Sequence, residues 1–303
     1  MEVSPNLSKS AKELRAGTWA AIASYGMWGL FPIYWKQITD IDAVHILCHR
    51  VLWSALFLLL VMQITGLAKQ LIPIFKNWRS LISVIVCAIL ITINWGTYIW
   101  AVNAGRVTES SLGYYITPLL SICLGSLFFK EKLDSWATTA VIFATIGVAI
   151  AAFMIGKIPW VSLSLATSFS IYGVIKKKVG LDALAGLTAE TITATPFVLI
   201  WLLWAQQFGW GYFFGPGAKS VIFLTVAGPV TAIPLLAFAY AAIRIPLQRI
   251  GFIQYLSPTF QLVLGIMVYG EKMTPPMLLA FSTVVAAVVI YLASRKWVAA
   301  KRH

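Results

Sequence analysis

Charge is scarce in this chain: 11% of its 303 residues are Asp, Glu, Lys or Arg, while 60% are hydrophobic and the mean hydropathy is +0.85. That shortage excludes an ordinary water-facing surface, which carries roughly 25–35% charged residues. No glycine-rich phosphate loop, no His-Glu-x-x-His and no Gly-x-Ser-x-Gly elbow occurs, so an ATP-driven pump, a zinc protease and a serine hydrolase have no motif to stand on. No cofactor motif is present, and the chain is not expected to be an enzyme. Cysteine is rare as well: Cys48, Cys87 and Cys123 fall within apolar runs and lack metal-ligand spacing. A thiol there behaves as a small hydrophobe, so neither a structural disulfide nor a zinc site is expected. Ala21-Ile22-Ala23 mimics a signal-cleavage site but stands at the start of the first apolar run and not after it, so that run is read as a retained span.

What the chain does have is a series of apolar runs of helix length. A bilayer core of roughly 30 Å needs about 20 apolar residues per helix, and only helices or closed barrels satisfy their backbone there. The runs are too long for the ten-residue alternating strands of a barrel. Ten spans are predicted, at 16–36, 43–64, 80–103, 110–129, 136–154, 159–175, 183–205, 220–243, 248–269 and 276–294. The expected fold class is therefore all-α integral membrane, with ten transmembrane helices. Joints such as Lys130 to Ser135 leave no room for a soluble domain, and the aromatic joint Gln206 to Lys219 is expected at the interface.

The second feature is a repeat. At an offset of 140, Tyr115 meets Tyr255, Thr117 meets Ser257, Pro118 meets Pro258, Gly125 meets Gly265, and Glu131-Lys132 meets Glu271-Lys272. Weaker echoes pair Trp100-Ala101 with Tyr240-Ala241 at the same offset, and Ser24, Trp28 and Gly29 with Ser168, Tyr172 and Gly173 at 144. Repeated sequence means repeated structure, and an odd number of spans per half makes the second half enter the membrane from the other side. Two inverted five-helix repeats are expected, over 16–154 and 159–294.

Positive charge sets the orientation. With the amino terminus inside, seventeen Lys and Arg residues lie on cytoplasmic segments, including Lys12, Arg15, Lys69, Lys76, Arg79, Lys176, Lys177, Lys178, Arg244 and Arg249. Five lie outside: Lys36, Arg106, Lys157, Lys219 and Lys272. Both termini are then cytoplasmic. The formal charge of +13 reads as topology and contact with anionic lipid, because no contiguous basic surface exists for nucleic acid. The expected partners are the bilayer and a small molecule; oligomeric state is not legible.

These residues carry a resemblance. The chain resembles the RarD group of the EamA-type drug/metabolite transporters over nearly its full length. The matching pieces are Trp28-Gly29, His49-Arg50, Asn94-Trp95, Trp100 to Asn103, Glu109 with Leu112-Gly113-Tyr114, Pro118-Leu119, Tyr172-Gly173, Glu190-Thr191, Pro234-Leu235, Gly251-Phe252, Gln254-Tyr255, Pro258-Thr259 and Tyr269 to Lys272. The resemblance implies ten helices, two inverted halves and export of a small metabolite or drug across a bacterial cytoplasmic membrane. One departure is Lys130, which stands where the family's helix-end motif has glycine before its glutamate.

Intramembrane charge marks a candidate site. Arg50 and Glu190 are the ionisable residues deepest in the spans, equivalent at the offset of 140, and each lies eight residues beyond an aspartate, Asp42 or Asp182. At 1.5 Å per residue each is about 12 Å deep, so in a core of roughly 30 Å their levels differ by only about 6 Å. A charge at that depth costs roughly 2.5 to 3.5 kcal/mol and needs a partner or a polar cavity. Two readings stay open: a pair that holds two helices together, or a gate or anion site. Beside them stands a polar and aromatic set, Trp28, Asn94, Tyr98, Asn103, Tyr114, Tyr115, Tyr172, Tyr240, Gln254 and Tyr255, read as substrate-binding because amides and phenols in hydrocarbon need partners. Tyr34, Trp35 and Trp160, at span ends, are read as interfacial belt residues. His45 and His49 share a helical face and read as packing contacts, with proton coupling through His49 or Glu190 open; Glu109 reads as a helix cap. Pro118 and Pro258 are expected to kink their helices and act as hinges. Together these features point to a secondary exporter working by alternating access, with a passive channel and, more remotely, a polytopic membrane enzyme as the alternatives.

Overall fold

A computed structural model of the protein describes residues 5–38, 41–103, 107–131, 133, 135–155, 160–209 and 217–268, with 275–276, 278–279, 282–283, 285–287 and 289–290. All regular structure among the described residues is helical. The elements are α1 (Pro5–Trp35), α2 (Ala43–Ile64), α3 (Leu71–Lys76), α4 (Trp78–Asn103), α5 (Val107–Phe129), α6 (Ser135–Ile155), α7 (Trp160–Val179), α8 (Ala183–Gln207), α9 (Ala218–Ala242), α10 (Leu247–Gln254) and α11 (Leu256–Met267). Five stretches, Ala43–Ile64, Trp78–Ala101, Leu112–Phe129, Ala183–Gln207 and Ala218–Ala242, are long and apolar enough to cross a membrane. The protein is a multi-pass membrane protein.

Local chemistry explains the boundaries. The predicted span 43–64 coincides with α2 because Asp42 fixes its start: the carboxylate accepts from the Val44 and His45 amides. Asp182 does the same for α8 through Leu184 and Ala185. The two caps stand 140 residues apart, so the repeat extends to helix-start chemistry. Elsewhere the structure adds detail. α1 begins earlier than predicted, at Pro5, and the joint after α2 folds into a short 3-10 turn and α3. The span predicted at 248–269 is two pieces, α10 and α11, parted at Tyr255. Tyr255 itself keeps helical dihedrals, and Pro258 stands in the first turn of α11, where a missing N–H is tolerated. Pro118, its mate, lies inside the unbroken α5. Glu271-Lys272, Lys132 and residues 210–216 of the aromatic joint lie outside the described residues, and so does part of the tenth predicted span.

Packing follows the repeat. α5 lies on α7 as α10 and α11 lie on α1; α4 lies on α7 as α9 lies on α1; α2 meets α9 as α8 meets α4. Two elements meet their own mates, α2 with α8 and α5 with α10. The correspondence reaches single side chains. Ser24 Oγ donates to the Pro234 carbonyl at 2.7 Å, while Asn94 Nδ2 donates to Ser168 Oγ at 3.0 Å. Ser24 and Ser168 are mates at the offset of 144, and Asn94 and Pro234 at 140. The rings of Tyr115 and Tyr255, mates as well, lie 6.4 Å apart.

Polarity is distributed as a bilayer requires. α6 turns Ile142, Ile146, Ile150 and Phe153 outward, and Leu60, Ile64, Phe197, Ile200, Ile222 and Met267 are likewise exposed on other helices. Ser24, His45, His49, Arg50, Ser54, Asn94, Thr188, Glu190, Thr231 and Gln254 are buried between the helices. Lipid tails are as apolar as Leu, so close packing and interhelical hydrogen bonds supply the association energy. Ser54 Oγ donating to the Gly228 carbonyl at 3.1 Å is one such bond. Gly228 is required there, because a Cβ would stand 2.4 Å from the backbone of Trp53.

Candidate functional site

A cavity of about 80 Å³ lies among α1, α2, α4, α5, α7 and the α10–α11 break. It is lined by Tyr25, Trp28, Phe31, Trp35, Arg50, Asn94, Trp95, Tyr98, Tyr114, Thr117, Phe169, Gln254, Ser257, Pro258 and Gln261. Three pairs of mates contribute, Tyr25 with Phe169 at the offset of 144 and Tyr114 with Gln254 and Thr117 with Ser257 at 140, so both halves of the repeat build it. The α10–α11 break brings Gln254 and Pro258 to its wall.

Arg50 is the one charged side chain among the lining residues. It is 4% exposed, its Nε donates to Thr231 Oγ1 at 3.0 Å, and its guanidinium carbon lies 4.3 Å and 4.7 Å from the ring centroids of Trp95 and Trp35. Indole faces favour a cation, by about 2 kcal/mol where water is excluded. Trp35, at the end of α1, is thus a partner of Arg50. Trp28 stacks edge-on with Tyr25 and Phe169, and Tyr98 with Tyr114. Asn94 is anchored by its amide to the Leu165 carbonyl at 2.8 Å and to Ser168.

Glu190 lies elsewhere. Its Oε1 accepts from Lys176 Nζ at 2.6 Å and its Oε2 from Tyr172 Oη at 3.1 Å, in a buried cluster away from the cavity wall. Of the two readings left open for Arg50 and Glu190, the direct pair is not formed, and each residue has its own partners. Lys176 takes Glu190 because the long stem of the lysine near the end of α7 carries its ammonium inward between the helices, whereas span counting treats it as surface charge.

Of the residues predicted to bind substrate, the structure brings Trp28, Arg50, Asn94, Tyr98, Tyr114 and Gln254 together at the cavity, along with Pro258. Tyr172 and Glu190 belong to the lysine cluster, Tyr115 and Tyr255 to the contact between mates, and Tyr240 lies against Arg244, 3.5 Å from its guanidinium carbon. The side chains of Asn103 and Glu109 lie outside the described residues. Sequence reasoning missed Tyr25, Phe31, Trp35, Trp95, Thr117, Phe169, Ser257 and Gln261 on the wall, and Thr231 behind Arg50. The offset of 140 offered a signal for Thr117, since Ser257 is its mate.

The end of the bundle that carries the α7 lysines holds a second ion pair. Lys177 Nζ donates to Glu131 Oε1 at 2.7 Å and to the Ile245 carbonyl at 3.1 Å. The same carboxylate caps α10, accepting from the Leu247 and Gln248 amides at 2.9 Å each. His45 and His49 stack on each other, and Trp53 Nε1 donates to His49 Nδ1 at 3.1 Å. No group of three or more His, Cys, Asp or Glu side chains that could hold a metal occurs among the described residues.

The EamA-like transporter family matches residues 15–153 and again residues 157–293. The chain belongs to the EamA-like transporter family. The uncharacterized transporter YojE of Bacillus subtilis is 42% identical over 96% of this chain and 99% of its own length. Protein RarD of Streptomyces exfoliatus is 40% identical over 93% of this chain and 90% of its own length, and protein RarD of Escherichia coli 36% identical over 93% and 95%. Within the EamA family the chain falls in the RarD group. One solved crystal structure is similar in fold, with a TM-score of 0.68 and 14% identity over 90% of this chain and 96% of that one. The protein is accordingly a membrane transporter and not an enzyme.

Proposed function

We propose that this EamA-family transporter is a secondary active exporter of small metabolites or drugs, working by alternating access across a bacterial cytoplasmic membrane. Its ten crossings form two inverted repeats, 16–154 and 159–294, with both termini in the cytoplasm. The observation that carries this reading is an asymmetry along the bundle. The cavity lies among residues toward the end where α1 finishes at Trp35, whereas Lys177, Glu131 and the start of α10 close the opposite end. Lysine and arginine crowd that end, which supports reading it as the cytoplasmic one. On this reading the transport cycle alternates between an outward-facing arrangement that keeps the Lys177–Glu131 contact and an inward-facing one in which it parts. Trp28, Arg50, Asn94, Tyr98, Tyr114 and Gln254 bind the substrate.

The test is flux. Proteoliposomes loaded with a panel of metabolites and drugs, with and without a pH gradient, should show saturable efflux and accelerated counterflow. Non-saturating flux of equal rate in both directions would identify a passive facilitator instead.

A further inference from the structure

We infer that the cavity takes an organic anion: an amphipathic molecule whose carboxylate docks on Arg50 while its apolar part lies against the aromatic wall. This rests on reading the cavity as the transport site.

Charge balance is the first argument. None of the fifteen lining residues is Asp or Glu, and Arg50 has no carboxylate partner among the described residues. A buried guanidinium in a membrane is costly, and the other deep charge in this chain is neutralised, Glu190 by Lys176. Under the offset of 144 the position that corresponds to Lys176 is Pro32, so the first half supplies no counter-charge at the matching place. Arg50 is thus a buried cation on a cavity wall whose anion has to come from the ligand.

Geometry narrows the anion. Nε is committed to Thr231, and the indoles of Trp95 and Trp35 cover the guanidinium. The terminal nitrogens have no acceptor among the described residues, and two parallel N–H groups match the two oxygens of a planar carboxylate. Further along the wall, Tyr25 Oη and Gln254 Oε1 are buried without a hydrogen-bond partner among the described residues. They suit a second polar group on the same molecule. Trp28, Phe31 and Phe169 supply the apolar surface. The same wall argues against cations, which would meet a fixed positive charge with no acid to receive them.

The test uses the full-length protein in detergent and a charge series on one skeleton: 3-phenylpropionate, 3-phenylpropanamide and 3-phenylpropylamine, with benzoate, benzamide and benzylamine as a shorter set. Binding is read by calorimetry and by the fluorescence of the lining tryptophans. The carboxylates should bind at least roughly tenfold more tightly than the matched amides and amines, the difference expected of a charge-assisted bidentate contact. Arg50→Gln should abolish that preference and Arg50→Lys should keep part of it. If Arg50→Gln does not fold, the series on the unaltered protein still decides. Equal binding of amide or amine, a preference that survives Arg50→Gln, or no saturable binding of either carboxylate would overturn the inference. Carboxylate binding at Arg50 without flux in proteoliposomes would instead leave this inference standing and count against the transport reading. Saturable flux confined to neutral or cationic compounds would do the reverse.

Discussion

Lys177 and Glu131 meet at 2.7 Å, and the carboxylate that holds the lysine also caps α10, so one side chain ties α5, α7 and α10 together at a single end of the bundle. Burial alone would raise the Glu131 pKa, but hydrogen bonds from Lys177 and from the Gln248 and Leu247 amides outweigh it and leave the carboxyl below its ordinary value. A carboxyl whose pKa is depressed in the folded state adds stability above the unfolded value, and that stability fades as pH falls through the folded one. The closed end should therefore loosen only in acid, below the ordinary carboxylate pKa of about 4.3. In a background without native cysteines, labelling of Ser121→Cys by a thiol reagent should rise several-fold on adding Glu131→Gln. That variant should also lose the acid dependence of thermal stability shown by its parent. Unchanged labelling would mean that this contact does not hold the end shut.

Lys176 and Glu190 should behave as one unit. Both are largely buried, and removing one partner of such a pair typically costs about 3 to 5 kcal/mol because the other charge is left uncompensated. Lys176→Met and Glu190→Gln should each destabilise strongly, while the double change should cost less than the sum. A thermal-melt cycle in detergent checks this. Arg50→Gln combined with Glu190→Gln should instead be additive, since no contact joins those two residues.

Lys130 stands just past the end of α5 with φ at 52°, the left-handed region that favours glycine, and it is the position where the family motif has glycine. A side chain there costs roughly 1 to 2 kcal/mol of strain, partly offset by the lower chain entropy of a non-glycine residue when unfolded. Lys130→Gly should raise stability by up to about 1 kcal/mol and keep the Glu131 cap in register. A fall in melting temperature would show that the lysine makes a compensating contact.

How much of this was legible in the sequence varies by kind of interaction. Helix positions follow from apolar run length, and the structure adds that Asp42 caps the start of α2 at Ala43. The repeat foresaw which residues are mates, and the structure adds that Tyr115 and Tyr255 touch. Partners of charge were not legible. Lysine and arginine carry long stems, so Lys176 reaches Glu190 from a helix end that composition assigns to the surface, and Arg50 finds tryptophans on two other helices. Equivalence under the repeat brought Arg50 and Glu190 to attention but says nothing of contact, because mates meet only near the axis relating the halves.

Pro118 and Pro258 remain the places where motion is expected, and their settings predict unequal effects. In α11 the ring follows an existing break, so Pro258→Ala lets α10 and α11 join through Tyr255, which would stiffen the wall that carries Gln254 and Ser257. In α5 the helix already runs unbroken past Pro118, whose carbonyl lies 2.9 Å from where a Cβ on Gly251 would stand, so this proline sits where α5 and α10 pack closely. Pro118→Ala restores one backbone donor without joining any helices, and its effect should be smaller. Both variants should express and bind substrate while turning over more slowly, with Pro258→Ala the slower. If the repeat is inverted, the two should trap opposite-facing states, read by thiol accessibility at the two ends of the cavity. Wild-type turnover in both, or one facing bias shared by both, would leave these prolines as packing features.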